Sequence, residues 1–160
     1  VLLWTFKKPS EMKSIFEQLA LSDILSRIEK LSPTAERKWG KMNVSQMLAH
    51  CNETMMVVTD QKVTKRRLIG KLLGPFFRTS YFSEAPFRRN SPTNPLFVIV
   101  DVRDFAKEKE LLLKLVKQFS EGGEEKCTRQ QHSFFGTFTL KEWGISTYKH
   151  LDHHLQQFGV

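Results

Sequence analysis

Four stretches of this 160-residue chain carry apolar residues at the three- and four-residue spacing of an α-helix, and little of it alternates as a strand would. Ile15, Phe16, Leu19, Ile24, Leu25, Ile28 and Leu31 predict a helix over 10–31, with a break near 21–22 and an end before Pro33. Asn43 is the expected N-cap of a second helix over 44–60. Phe105, Leu112, Leu115, Val116 and Phe119 predict another over 103–120, closed by Gly122 and Gly123. Thr139 and Glu142 have capping-box spacing and open the last helical region, 140–158. Residues 61–78 read as a further, irregular helical stretch. Residues 79–102, with Pro86, Pro92 and Pro95, are the least regular part, and 96–100 is apolar and β-branched enough for a short extended piece. The expected fold is therefore all-α. It is an antiparallel four-helix bundle in one domain over 1–160, with a long irregular connection between the second and third main helices.

No apolar run reaches the roughly 20 residues that span a bilayer. The opening VLLWTF is too short for a secretory core and lacks a basic start. Cys51 and Cys127 could form one bridge at most, so a disulfide scaffold is excluded and a reducing cytoplasm is the expected location. The net charge of +8 is concentrated. Residues 61–90 hold Lys62, Lys65, Arg66, Arg67, Lys71, Arg78, Arg88 and Arg89 against Glu84 alone. Such a patch attracts phosphates, acidic substrates or an anionic membrane, and its plainest reading is a solvated basic segment. RRLIGKLLGPFF mixes basic and apolar residues like an interfacial helix, although Gly70 and Gly74 each weaken a helix by up to ~1 kcal/mol. No nucleic-acid-binding signature accompanies the patch.

The chemistry-bearing residues are the histidines. His50, His132, His150, His153 and His154 form no HExxH motif. At 100° per residue, with His150 at zero, Trp143 lies near ~20°, His154 near ~40°, Phe158 near ~80° and Leu151 near ~100°. Lys149, Asp152, His153, Gln156 and Gln157 fill the polar arc. His150 and His154 thus face the core with the apolar stripe, and an inward i, i+4 pair can place two imidazoles on one metal. His50 lies at the border of the apolar face of the second helix, from where it can meet that pair. The competing interpretation is a hydrogen-bonded core histidine at each position. Cys51 projects about 100° from His50 and reads as a core thiol.

Three segments carry a family resemblance: WGKMNVSQMLAHC over 39–51, HSFFGTFTLKEW over 132–143 and YKHLDHHLQQFG over 148–159. The chain resembles the DinB/YfiT-like superfamily of four-helix-bundle metalloproteins, in a branch known only as a domain of unknown function. The resemblance covers 10–158, loosely over 61–102. It implies a divalent metal held by one histidine of the second helix and an HxxxH pair of the last, here His50, His150 and His154. Many members continue with His-Arg-Gly-Gln, whereas this chain has His154-Leu-Gln-Gln.

Three imidazoles leave metal positions for water or substrate, the composition of a reactive rather than a structural site. Imidazole suits zinc, nickel, copper and iron alike; zinc or nickel is the expected ion. The resemblance implies a metal-dependent hydrolase or a thiol S-transferase using a low-molecular-weight thiol. His132 is the expected acid/base or supporting residue, against the plainer role of a loop histidine bonding backbone. Glu53 is a poorer base candidate. Trp39, Trp143 and the Phe-rich 76–97 region could line an apolar mouth. A basic segment folded over the site would favour an anionic small molecule, and an apolar helix face would allow a homodimer. The alternatives are a non-enzymatic metal or small-ligand module and a basic interaction protein with structural histidines.

Overall fold

Helix starts follow their capping residues. The Asn43 side chain accepts from the Gln46 amide at 2.9 Å while Gln46 accepts from the Asn43 amide at 3.0 Å. Thr139 and Glu142 reciprocate in the same way at 3.1 and 2.7 Å. Each box satisfies backbone donors that a helix start leaves orphaned. The computed structural model describes residues 12–160, and within them the helices are α1 (Gln18–Lys30), α2 (Val44–Val58), α3 (Leu68–Tyr81), α4 (Phe105–Gly122) and α5 (Leu140–Gln157). No strand occurs among the described residues; the one ladder contact is an isolated His132–Gly136 bridge. The described residues are all-helical.

α1 packs on α4 and α5, and α2 packs on the same two helices. The shared core is built from Ile24 and Ile28 of α1, Met47, Leu48 and Met55 of α2, Leu112, Leu115 and Val116 of α4, and Leu151 of α5, all fully buried. Burying one such side chain contributes about 1.5–3 kcal/mol. Polar ties fix the helix pairs. Arg27 of α1 donates to Asp152 of α5 at 2.7 Å, and Asn52 of α2 donates to Glu108 of α4 at 2.8 Å.

Three local expectations are corrected. α1 runs without a break through 21–22 and begins at Gln18; residues 10 and 11 lie outside the described region. The apolar residues before it serve a different purpose: Ile15 is buried in a turn whose amide donates to the Gly144 carbonyl at 3.1 Å. Residues 95–97 form a 3-10 turn rather than an extended piece, capped by Asn94 accepting from the Leu96 amide. Phe97 and Ile99 are buried while Leu96, Val98 and Val100 are exposed, so the alternation is real but has no neighbouring strand.

The third correction is α3, which is a regular 14-residue α-helix despite Gly70, Gly74 and Pro75. Its two glycines are buried against the 134–135 backbone. A Cβ on Gly70 would lie 2.5 Å from the Phe134 Cα, and one on Gly74 would lie 2.6 Å from the Phe134 oxygen. The glycines that weaken the isolated helix are what let it approach this loop. Arg78 then pins α3 to α5 through Glu142 at 2.6 Å.

Candidate metal centre

The capping box of α2 and that of α5 set the two helices that carry the histidines. His50 comes from the middle of α2, and His150 and His154 from consecutive turns of α5. Their ligating nitrogens all lie within 4.8 Å of one another. Ring centroids are 5.1 Å apart for His50–His150 and 4.7 Å for both His50–His154 and His150–His154. His50 and His154 are buried; His150 is part-accessible and lines a cavity.

Hydrogen bonding decides which nitrogen of each ring is free. His50 Nδ1 faces the Phe97 carbonyl at 2.8 Å, and a carbonyl only accepts, so Nδ1 carries the proton. Gln157 Nε2 donates to the Trp39 carbonyl at 2.7 Å, which turns its Oε1 toward His154 Nδ1 at 2.9 Å. That oxygen also only accepts, so His154 Nδ1 donates. Thr54 donates its hydroxyl to the Cys51 carbonyl at 2.8 Å and leaves an oxygen lone pair 3.4 Å from His150 Nδ1. His50 and His154 therefore hold their proton on Nδ1 and keep a free lone pair on Nε2, and His50 Nε2 then accepts from His150 Nε2 at 3.0 Å, a closer contact than the Thr54 oxygen makes with His150 Nδ1. Anchoring the far nitrogen in this way fixes ring orientation and raises ligand basicity.

The consequence is a site that suits a cation. His50 Nε2 and His150 Nε2 approach to 3.0 Å. Without a metal that contact is filled by the His150 Nε2 proton, and a cation shared by the three rings would displace this single proton. Burial holds every imidazole of the group toward its neutral, ligating form. It pushes His150 well below its ordinary value, reinforced by the neighbouring His154 and His50. Burial, and then His50, holds His154 down to about 3 against the Gln157 bond. Burial also lowers His50, opposed by the Phe97 carbonyl.

The other sequence candidates fall outside the group. His153 is half-buried, with its ring 5.6 Å from Trp39 and 6.1 Å from Phe87. Cys51 is a buried free thiol 3.7 Å from Met47 Sδ, pushed upward by burial. Cys127 is also free and buried. Glu53 is paired with Lys62, which removes it as a free base. Periodicity places Thr54 on the inward face of α2 beside His50 but gives no sign of Phe97 or Gln157. Gln157 falls on the polar arc of the wheel, yet it is buried and bridges α5 to the 39–40 turn.

His132 shares a cavity of about 80 Å³ with His150, Tyr81, Trp143 and Ser146. Its Nδ1 accepts from the Phe134 and Phe135 amides at 3.2 and 3.1 Å, and its ring stacks on Phe138 at 4.8 Å. The loop-organising role is thus the one its contacts display. Burial, and then the charges of Arg66 and Arg78, hold it down to about 4. A proton on Nδ1 would also face two backbone N–H donors. Since the folded value lies below the ordinary 6.5, the neutral ring's contribution is present above that pH and is lost as pH falls toward 4. The metal-free protein is expected to lose about 2 kcal/mol through His132 between pH 7 and pH 5. Urea unfolding of His132→Asn, which keeps a short acceptor for the same amides, should show a flatter pH dependence by that amount; an unchanged slope would contradict this account.

The basic segment is divided rather than uniformly solvated. Lys62 pairs with Glu53 and Arg78 with Glu142, while Arg66 donates to the Gly70 carbonyl at 3.3 Å beneath Gly136. Lys65, Arg67, Lys71, Arg88 and Arg89 remain exposed, the last with its guanidinium 4.3 Å from the Trp39 ring.

No curated protein and no solved structure matches the chain. A protein-family model does match it, over residues 11–159, and that span includes all three converging histidines. The chain belongs to this family, DUF1569, described as a protein of unknown function.

Proposed function

We propose that the protein holds a divalent cation, zinc or nickel, through the Nε2 atoms of His50, His150 and His154, and uses it as a metal-dependent transferase or hydrolase acting on a small molecule. The observation that carries this reading is the convergence of the three imidazoles, whose ligating nitrogens lie within 4.8 Å of one another with His50 and His154 anchored at Nδ1. In this reading α1, α2, α4 and α5 form a four-helix bundle of the DinB/YfiT type, with α3 added outside it. Bound there, the cation would supply Lewis acidity, lowering the pKa of a coordinated water or thiol.

Within the two chemistries, the cavity favours thiol S-transfer. Its lining combines Met55, Val57, Val58, Phe97 and Trp143 with six hydroxyls and two imidazoles, and no carboxylate lines it among the described residues. Hydrolysis asks for a general base beside the water, and Glu53 and His132 are both otherwise engaged. Transfer to a thiol needs no such base once the thiol is held as thiolate. Tyr81, donating or accepting at 2.6 Å with Ser146, gives the cavity a polar point for orientation.

Turnover tests this reading. The metal-loaded protein should transfer a low-molecular-weight thiol to an electrophilic acceptor, and the metal-stripped protein should not. Metal-loaded protein without turnover in thiol-transfer, ester and amide panels would leave the same site as a non-enzymatic metal or small-ligand module.

A further inference from the structure

α3 is turned the opposite way from an ordinary surface helix. Such helices face their apolar stripe to the core. Here the inward side is Gly70 and Gly74, buried against the Phe134 backbone. The outward side carries Leu68 at 80% exposure, Leu72 at 71% and Phe76 at 78%, with Ile69 and Phe77 beside them at 52% and 53%. Leu68, Leu72 and Phe76 follow one another at i, i+4, i+8, so they form a continuous line about 12 Å long. An exposed contiguous apolar face on a helix marks an interaction surface.

Charge identifies what the face fits. Lys65 and Arg67 immediately precede α3, Lys71 lies within its first turn, and all three are exposed. Residues 61–83 contain no Asp or Glu. Symmetric pairing of this segment with a second copy would give these cations no acidic counterpart. An anionic lipid surface instead complements both features, since headgroups receive the cations while the leucines and phenylalanines enter the acyl boundary. No helix among the described residues is long and apolar enough to cross a membrane, which leaves a helix lying on one.

We propose that the outer face of α3 docks the protein onto anionic phospholipid membrane, with Leu68, Leu72 and Phe76 inserted and Lys65, Arg67 and Lys71 on the headgroups. This does not depend on the metal reading. Co-sedimentation with phosphatidylcholine vesicles, with and without phosphatidylglycerol, tests it. The wild-type protein should bind the phosphatidylglycerol vesicles and be released by high salt. The double variant Leu72→Glu and Phe76→Glu should bind about 100-fold more weakly. The triple variant Lys65→Gln, Arg67→Gln and Lys71→Gln should lose about fivefold per cation. These side chains are exposed, so unchanged circular dichroism and thermal transitions are expected of every variant. Wild-type protein that ignores phosphatidylglycerol vesicles would overturn the proposal, as would binding that Leu72→Glu and Phe76→Glu leave intact. A dimer in light scattering that this double variant splits, without vesicle binding, would assign the face to a second copy and overturn it as well.

Discussion

Zinc added to the metal-free protein is expected to raise its stability by about 4 kcal/mol at a thousandfold excess over the dissociation constant, and His150→Ala is expected to remove that gain. Phe97 and Gln157 hold the Nδ1 protons of His50 and His154, so the Nε2 atoms of those rings are free lone pairs, and His150 has only its one Nε2 proton to give up on ligation. A folded chain presents the three donors together; an unfolded chain does not, and binding energy becomes folding energy. Gln157→Leu keeps all three ligands but frees the His154 ring, and should weaken zinc about 10–100-fold. His153→Ala should leave the affinity unchanged, because His153 lies outside the converging group. Urea unfolding at graded zinc concentrations measures all four proteins. Equal stabilisation of wild type and His150→Ala would contradict the assignment.

The second large effect concerns Gly70. Helix propensity alone says that Gly70→Ala stabilises α3 by up to ~1 kcal/mol. Packing says the reverse, since the new Cβ would sit 2.5 Å from both the Cα and the oxygen of Phe134. That contact is with backbone and cannot be relieved by a rotamer change. Overpacking of this kind costs about 1–3 kcal/mol, so the clash should win and α3 should loosen from the 132–136 loop. Leu72→Ala, fully on the outer face, should change stability by less than ~0.5 kcal/mol. Hydrogen exchange across α3 together with urea midpoints distinguishes the two; a Gly70→Ala protein more stable than wild type would refute the docking geometry.

These two sites also show where sequence was informative. The histidine triad was legible because period and chemistry coincided: His150 and His154 lie on an apolar stripe, where a polar residue needs a reason. Caps were legible because Asn43 with Gln46, and Thr139 with Glu142, are local arrangements. The anchors were not. Gln157 on a helical wheel looks like any solvated glutamine, and its bond to Trp39 depends on a turn 118 residues away in sequence. The Phe97 carbonyl carries no side-chain identity at all. α3 was misread for a related reason. Glycine was weighed as a helix breaker, whereas its role here is close approach to a distant backbone. The direction of an amphipathic helix likewise depends on which face finds a neighbour, and the neighbour, the 134–135 loop, lies about 60 residues further along.

The helical spacing of the histidines and the observed geometry bring together the same three residues. One depends on spacing, the other on ring orientation. Neither names the substrate.

The most direct measurement is the metal content of protein purified without a histidine tag, compared with a variant carrying His50→Ala and His154→Ala together. One divalent ion per chain in the first, and essentially none in the second despite an intact helical spectrum, is the predicted result. Metal far below one per chain after reconstitution with zinc and with nickel, or equal metal in both proteins, would contradict a three-histidine centre.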